Sequence, residues 1–253
     1  MFIAGCLMNQ NNIKELIDIA QNFYDSSFAD SATLLEFQKF PHMFVLGCVM
    51  DSQINYERAF NIPRIIARKY FNNDYSFSNY AEQNREFYIK VFQEENLHRF
   101  NSIKANAFYN AIQRIITVYN SDTTMIWNDN PSSAELVYRF LQFDGVGVKI
   151  ATMMTNILAR DYKIQLKDKY SIDISPDVHV KRLMFRLGFF PERENFESLS
   201  QEDIIYKARS LNPTFPGVLD LLLWTLGKDK ICTNDKCNFE KCCLSSICEK
   251  YKI

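Results

Sequence analysis

Between Cys232 and Cys248 the chain places five of its seven cysteines, spaced Cys232-x4-Cys237-x4-Cys242-Cys243-x4-Cys248. Thiols crowded in this way, in a chain without the basic start of a secretory leader, point to metal before disulfides. Four suffice for a zinc site or for an iron–sulfur cluster, and residue types alone do not separate the two. A second pattern is Phe143-Asp144-Gly145-Val146-Gly147-Val148-Lys149. Two glycines in one turn allow a hairpin with positive φ and no side-chain bulk. A phosphate can then reach the N–H groups at the start of the following helix. An ordinary helix–turn–helix connection would use the same glycines. A third pattern, Pro176-Asp177-Val178-His179, puts a proline and a carboxylate at a helix start, where Asp177 also reads as an N-cap.

The elements that must hold these groups are helices. Residues 12–24, 56–71, 80–94 and 102–119 carry apolar residues at helical spacing, and residues 42–54 are apolar nearly all round, as in a buried helix. Ser132 or Ser133 is placed to cap a helix over 134–143. The turn at Gly145 leads into a helix over 148–160. Residues 161–175 are polar and mixed, and read as a loop. A helix from Pro176 to Leu187 stops at Gly188, and two more cover 201–210 and 216–226. Seven Gly and seven Pro in 253 residues leave few breakers, and no strand pattern is convincing. The chain is therefore expected to be all-α.

Composition sets limits. Hydrophobic residues make up 47% and charged residues 23%, which supports a packed core rather than disorder. Cys6 and Cys48 lie in apolar runs and read as small core residues. The formal net charge is −1, so any hold on nucleic acid must come from a local basic face and from backbone N–H groups, not from bulk charge. No segment is apolar over the length a membrane span needs. A cytoplasmic protein is expected, nucleoid-associated if the source is prokaryotic.

Taken in order, these motifs resemble the helix-hairpin-helix DNA glycosylase superfamily, and most closely its endonuclease III-like branch with a C-terminal iron–sulfur loop. The branch's Leu-Pro-Gly-Val-Gly-Arg-Lys-Thr-Ala is matched by Phe143 to Ala151, and its Val-Asp-Thr-His-Val by Pro176-Asp177-Val178-His179-Val180. Arg186-Leu187-Gly188 matches the end of that helix. Met50-Asp51-Ser52-Gln53 is similar to Leu-Ser-Ala-Gln, and Asn101 to Ala105 to the segment in which glycine or asparagine precedes Lys-Ala. The match runs from about residue 40 to the C-terminus. The stretch from Lys149 to Asp177 is longer than in that branch, so residues 161–173 read as an insertion, placed to shape a lesion pocket or contact DNA.

The resemblance implies chemistry. Breaking the bond from C1′ of deoxyribose to a base builds positive charge on the sugar, which a carboxylate stabilises. Asp177 takes that position. Lys149 takes that of the amine that attacks C1′, giving a Schiff base and strand cleavage by β-elimination. The implied activity is a base-excision glycosylase that flips a damaged base, with abasic-site lyase activity, acting as a monomer on double-stranded DNA carrying a damaged or mismatched base. Gln53 falls where the family inserts a side chain into the duplex. Gly145, Gly147 and Val148 would meet backbone phosphate, and His179 would support such contacts. Lys181, Arg182 and Arg186 share a helix and would form a basic DNA-facing surface. Lys236 and Lys241 would face phosphate from the cysteine loop.

The branch's cysteine pattern is Cys-x6-Cys-x2-Cys-x5-Cys. Cys232, Cys242 and Cys248 fit it, whereas the second ligand falls on Phe239 and is assigned to Cys237. Cys243 is the alternate to Cys242. The implied cofactor is a 4Fe-4S cluster, with zinc as the alternative. Two other functions stay open: a monofunctional glycosylase in which Asp177 directs water, and a non-catalytic protein that binds damaged DNA. Two lobes are expected: a helical barrel over 38–160 ending in the hairpin, and a second domain from 1–37 plus 161–253.

Overall fold

The computed structural model describes residues 8–248; Cys6 lies outside them. Among the described residues every regular element is helical, and the one β-bridge pairs Cys232 with Cys237. The chain divides into two compact units, Ala29–Lys167 and the residues on either side of it. The division at 28/29 and 167/168 contrasts with the anticipated 37/38 and 160/161. Aromatic packing accounts for the difference. The Phe37 ring stacks on Tyr162 at 3.7 Å and on Trp127 at 5.5 Å, which carries both edges of this span into one core.

Within Ala29–Lys167 the order is α2 (Ser31–Lys39), α3 (Pro41–Met50), α4 (Tyr56–Tyr70), α5 (Phe77–Ala81), α6 (Arg85–Glu94), α7 (Asn101–Val118), a 3₁₀ turn (Thr123–Ile126), α8 (Ser133–Leu141) and α9 (Val148–Arg160). α3 is the central element. Every residue from His42 to Met50 is buried, which is why no polar face interrupts its sequence. Each large apolar side chain so buried contributes about 1.5–3 kcal/mol. α4, α7 and α9 pack around α3, and α8 packs on α9 to make the helical hairpin. Ser132 caps α8 by accepting the Glu135 N–H at 3.2 Å.

The other unit holds α1 (Gln10–Ser26), α10 (Val178–Arg186), α11 (Gln201–Leu211), a 3₁₀ turn (Pro216–Leu219) and α12 (Asp220–Lys228), followed by the cysteine segment. α10 packs on α12. Their approach depends on Gly227, where an added Cβ would lie 2.5 Å from Cβ of His179. α11 opens with a reciprocal cap between Ser200 and Asp203.

Candidate active site and cysteine centre

Phe143 and Val146 anchor the hairpin from inside the core, and Asn110 on α7 donates to the Asp144 carboxylate at 2.6 Å. Gly145 has φ +77°, a conformation that costs L-residues energy. Gly147 is different. Its φ is −93°, it is the N-cap of α9 without a side-chain cap bond, and nothing lies within 4 Å of where a Cβ would sit. The first turn of α9 thus presents N–H groups with no side-chain cap, and the helix dipole adds partial positive charge there. Val148 and Lys149, the first two residues of α9, are exposed. A phosphate or a sugar could reach all three positions.

Behind the hairpin lies a group of charges not anticipated from the sequence. Lys104 on α7 is only 5% exposed, and its Nζ donates to the Val49 carbonyl at 2.8 Å. The same Nζ lies 3.5 Å from where a Cβ on Gly145 would be. Lys104 therefore joins the C-terminal end of α3 to the turn. Burial lowers its pKa and Asp51 opposes that shift. Asp51 is the C-cap of α3. Burial pushes its carboxyl above the usual range, with the Lys149 and Lys104 charges pulling the other way.

His98, fully buried, fixes the next residues. Its Nδ1 accepts the Phe100 N–H at 3.0 Å, so Nε2 carries the proton and donates to the carbonyls of Met50 (3.2 Å) and Ser52 (3.1 Å). Burial and then Lys104 hold His98 below its usual pKa. Gln53 follows, exposed and at φ +57°, a conformation rare outside glycine. Lys149, Asp51, Lys104 and Gln53 belong to the unit Ala29–Lys167.

Asp177 belongs to the other unit. It is the N-cap of α10, accepting the Val180 N–H at 2.8 Å. Its approach is held by the Ser175 N–H, which donates to the Asp220 carboxylate at 2.9 Å.

The basic surface expected on α10 is not there. Arg182 and Arg186 are 5% and 6% exposed. Arg182 donates to the Cys232 carbonyl at 2.8 Å, to Oδ1 of Asn234 at 3.0 Å, and lies 3.0 Å from Nδ1 of His179. Arg186 donates to Sγ of Cys232 at 3.1 Å and to the carbonyls of Thr233 and Asn234. Lys181 donates to the Leu199 carbonyl at 2.7 Å. These cations secure their own unit, and two of them clamp the start of the cysteine segment. The interval 161–173 is also largely committed. Tyr162 is in the core beside Phe37, Gly217 N–H donates to the Ile172 carbonyl at 2.7 Å, and Asp173 pairs with Arg209 at 2.7 Å, whereas Tyr170 stays exposed.

The cysteine segment folds back on itself. Burial, then Cys232, Cys242 and Cys248, push the Cys237 thiol up to about 12. Those three sulfurs are thus in electrostatic reach of Cys237. Cys243 is exposed, whereas Cys242 is buried along with Leu244 and Ile247. The residue types suit a thiolate-held centre: four cysteines in one segment, the Arg186 guanidinium on one of them, and buried Leu244 and Ile247 in the same segment. Among the described residues no three His, Cys, Asp or Glu side chains are drawn together closely enough for a single ion. Lys236 and Lys241 lie within the segment and are exposed.

No protein-family model and no curated protein sequence matches this chain. Solved structures do. A trapped covalent intermediate of endonuclease III with DNA superposes with a TM-score of 0.59 at 15% identity, covering 96% of this chain and 97% of that one. The fold is shared with endonuclease III. A non-covalent endonuclease III–DNA complex matches with the same values. Clostridium acetobutylicum 8-oxoguanine glycosylase/lyase, in complex with double-stranded DNA containing cytosine opposite 8-oxoguanine, matches with a TM-score of 0.55 at 16% identity over 88% of this chain and 70% of that one. The all-helical architecture expected from the motifs is thus the one found. Among the described residues, no helix is long and apolar enough to cross a membrane.

Proposed function

We propose that this protein is a base-excision DNA glycosylase whose Lys149 amine attacks C1′ of a flipped nucleotide, and which therefore also cleaves the strand at abasic sites. The observation that carries the reading is an exposed lysine on the first turn of a helix that begins at a side-chain-free cap, in a fold shared with DNA-bound glycosylases. Double-stranded DNA with a damaged or mismatched base is the substrate, and a single chain suffices to act on it.

In this reading the Gly145–Val148 turn holds a backbone phosphate through N–H groups, which fixes register without reading sequence. Gln53 fills the gap left by the extruded base. Asp177 stabilises the positive charge that grows on the sugar as the base leaves. The amine lone pair of Lys149 forms the new C1′–N bond while the old one breaks. The adduct becomes a Schiff base, from which β-elimination cuts the 3′ phosphate. Cys232, Cys237, Cys242 and Cys248 would hold a 4Fe-4S cluster, whose contribution is to order the loop bearing Lys236 and Lys241.

A panel of duplexes, each with one lesion, tests this. The parent protein should release one class of base and be trapped on the DNA by borohydride. Lys149→Gln should abolish trapping. Asp177→Asn keeps the cap on α10, since Asn and Asp cap equally well, and should still lose base release by at least about a hundredfold. Base release with no trapped adduct in the parent would assign the nucleophile to water, directed by Asp177.

A further inference from the structure

α3 ends without a glycine to turn the chain, so its last carbonyls need donors from elsewhere. They find them on α7 and on the stretch before it. Lys104 Nζ donates to the Val49 carbonyl at 2.8 Å. The N–H at Nε2 of His98 is shared between the Met50 carbonyl at 3.2 Å and the Ser52 carbonyl at 3.1 Å. The imidazole is itself held. It is fully buried, its Nδ1 accepts the Phe100 N–H at 3.0 Å, and the His98 backbone N–H donates to Oδ1 of Asn101 at 2.8 Å. Asn101 in turn donates to Oδ1 of Asn96 at 3.0 Å, and Arg58 on α4 donates to the carbonyls of Asn96 and Leu97. With both ring nitrogens engaged, the histidine keeps one tautomer and one orientation.

Gln53 comes next, exposed and at φ +57°. That conformation costs an L-residue about tenfold in population. Such a residue persists only where its surroundings dictate it. The Ser52 carbonyl and the Gln53 N–H belong to one planar peptide, so a bond that fixes the oxygen also fixes the plane from which φ of Gln53 is measured. On the other side Ile54 packs against the core, and Asn55 caps α4 by accepting the Glu57 N–H at 2.8 Å. Gln53 is thus an exposed side chain between two fixed points.

Given the reading of Gln53 as the side chain that fills the gap left by the extruded base, on which this rests, we infer that His98 is a positioning residue for Gln53. Through the Ser52 peptide it sets Gln53 in the left-handed conformation before DNA arrives, which spares an ordering cost on binding. Without that bond the chain relaxes toward negative φ. The conformer that fits the gap becomes a minor one, and binding weakens in proportion.

The experiment measures the affinity of the full chain for a duplex with one tetrahydrofuran abasic site, divided by its affinity for the intact duplex. Tetrahydrofuran forms no Schiff base, so Lys149 chemistry plays no part. The proteins are the parent, Gln53→Ala, His98→Gln, His98→Asn, and His98→Asn combined with Gln53→Ala. A glutamine amide can place its N–H groups where Nε2 was and keep the donor to Met50 and Ser52, whereas the shorter asparagine reaches only the Nδ1 position.

Gln53→Ala should lower the ratio about tenfold, and His98→Asn about as far. His98→Gln should lower it less than about threefold, because the donor survives. The double variant should fall no further than Gln53→Ala alone, since both changes remove one interaction. A histidine that only stabilised the fold would weaken binding to both duplexes and add its effect to that of Gln53→Ala. Circular dichroism checks the fold of each variant. If His98→Asn does not fold, Asn101→Ala, which removes the acceptor of the His98 N–H and keeps the imidazole, replaces it in the same cycle. An unchanged ratio in His98→Asn, a loss that persists in full beside Gln53→Ala, or a His98→Gln as impaired as His98→Asn would overturn the inference and leave the Gln53 reading intact. A parent with no preference for the abasic duplex, or a preference that Gln53→Ala does not lower, would overturn both.

Discussion

Cys242 and Cys243 are adjacent in sequence and opposite in environment. Cys242 is buried and Cys243 is exposed. If these cysteines hold a 4Fe-4S cluster with Cys242 as a ligand, replacing Cys242 by Ser should lower iron from about four per chain toward none. Replacing Cys243 by Ser should leave metal content and visible absorbance as in the parent. Elemental analysis of the two purified variants decides it, and the reverse result would exchange the ligand assignment. At this scale the sequence carried types but not directions. Cysteine spacing left Cys242 and Cys243 as alternatives, and burial separates them. Arg182 and Arg186 are four residues apart and so share a helix face, which reads equally well as a DNA surface. Only contact with residues 232–234, far along the chain, reveals that this face points inward.

Helix positions were largely legible because amphipathic spacing and caps are local properties. α9 matches its expected span, and Gly188, at φ +79°, follows α10 where a stop was foreseen. The departures have local causes that tertiary contacts decide. The span 80–94 is two helices because Asn84 caps α6 by accepting the Phe87 N–H at 2.9 Å. α2 buries a single large side chain, Phe37, too little for a periodic signal. The span 216–226 opens as a 3₁₀ turn because Gly217 is pressed against the Ile172 carbonyl, 2.7 Å from where a Cβ would sit.

The hairpin itself separates two uses of glycine that sequence merged. Gly145→Ala is strained by its φ alone and should lower stability by about 1–2 kcal/mol. Gly147→Ala meets no atom and no forbidden φ, so its stability cost should stay within about 1 kcal/mol, the part owed to alanine being a poorer N-cap. Its methyl would nevertheless stand where a phosphate approaches. Affinity for an abasic duplex at fixed salt should fall about tenfold in Gly147→Ala by loss of one charge-assisted contact. Thermal melting beside a binding titration separates these outcomes, and undiminished affinity in Gly147→Ala would remove the hairpin from the DNA contact.

At the scale of the whole chain, each unit has its own core and its own tryptophan, Trp127 in Ala29–Lys167 and Trp224 in the other. Acid should act on the first. His42, at the start of α3, is enclosed by the rings of Phe40, Phe77 and Tyr80, and its Nε2 is buried without a hydrogen-bond partner. A proton on that nitrogen would be an unpaired charge in an apolar cage. Burial accordingly depresses the pKa from 6.5 to about 4, partly offset by a bond to the backbone of Tyr75. The unfolded chain takes up this proton near pH 6.5 and the folded chain only near 4. Above pH 6.5 neither state is protonated and the histidine has no effect. As pH falls from 6.5 toward 4, the unfolded state binds the proton first and stability is lost.

By pH 5 the loss from this one group is about 2 kcal/mol. His98, also buried with a lowered pKa, adds in the same direction. Urea unfolding followed through Trp127, in a background where Trp224 is Phe, should show this decline between pH 7 and pH 5. His42→Leu removes the titrating group, so its stability should vary less over that range whatever its absolute value. An unchanged slope in His42→Leu would mean that the acid sensitivity of this unit lies elsewhere.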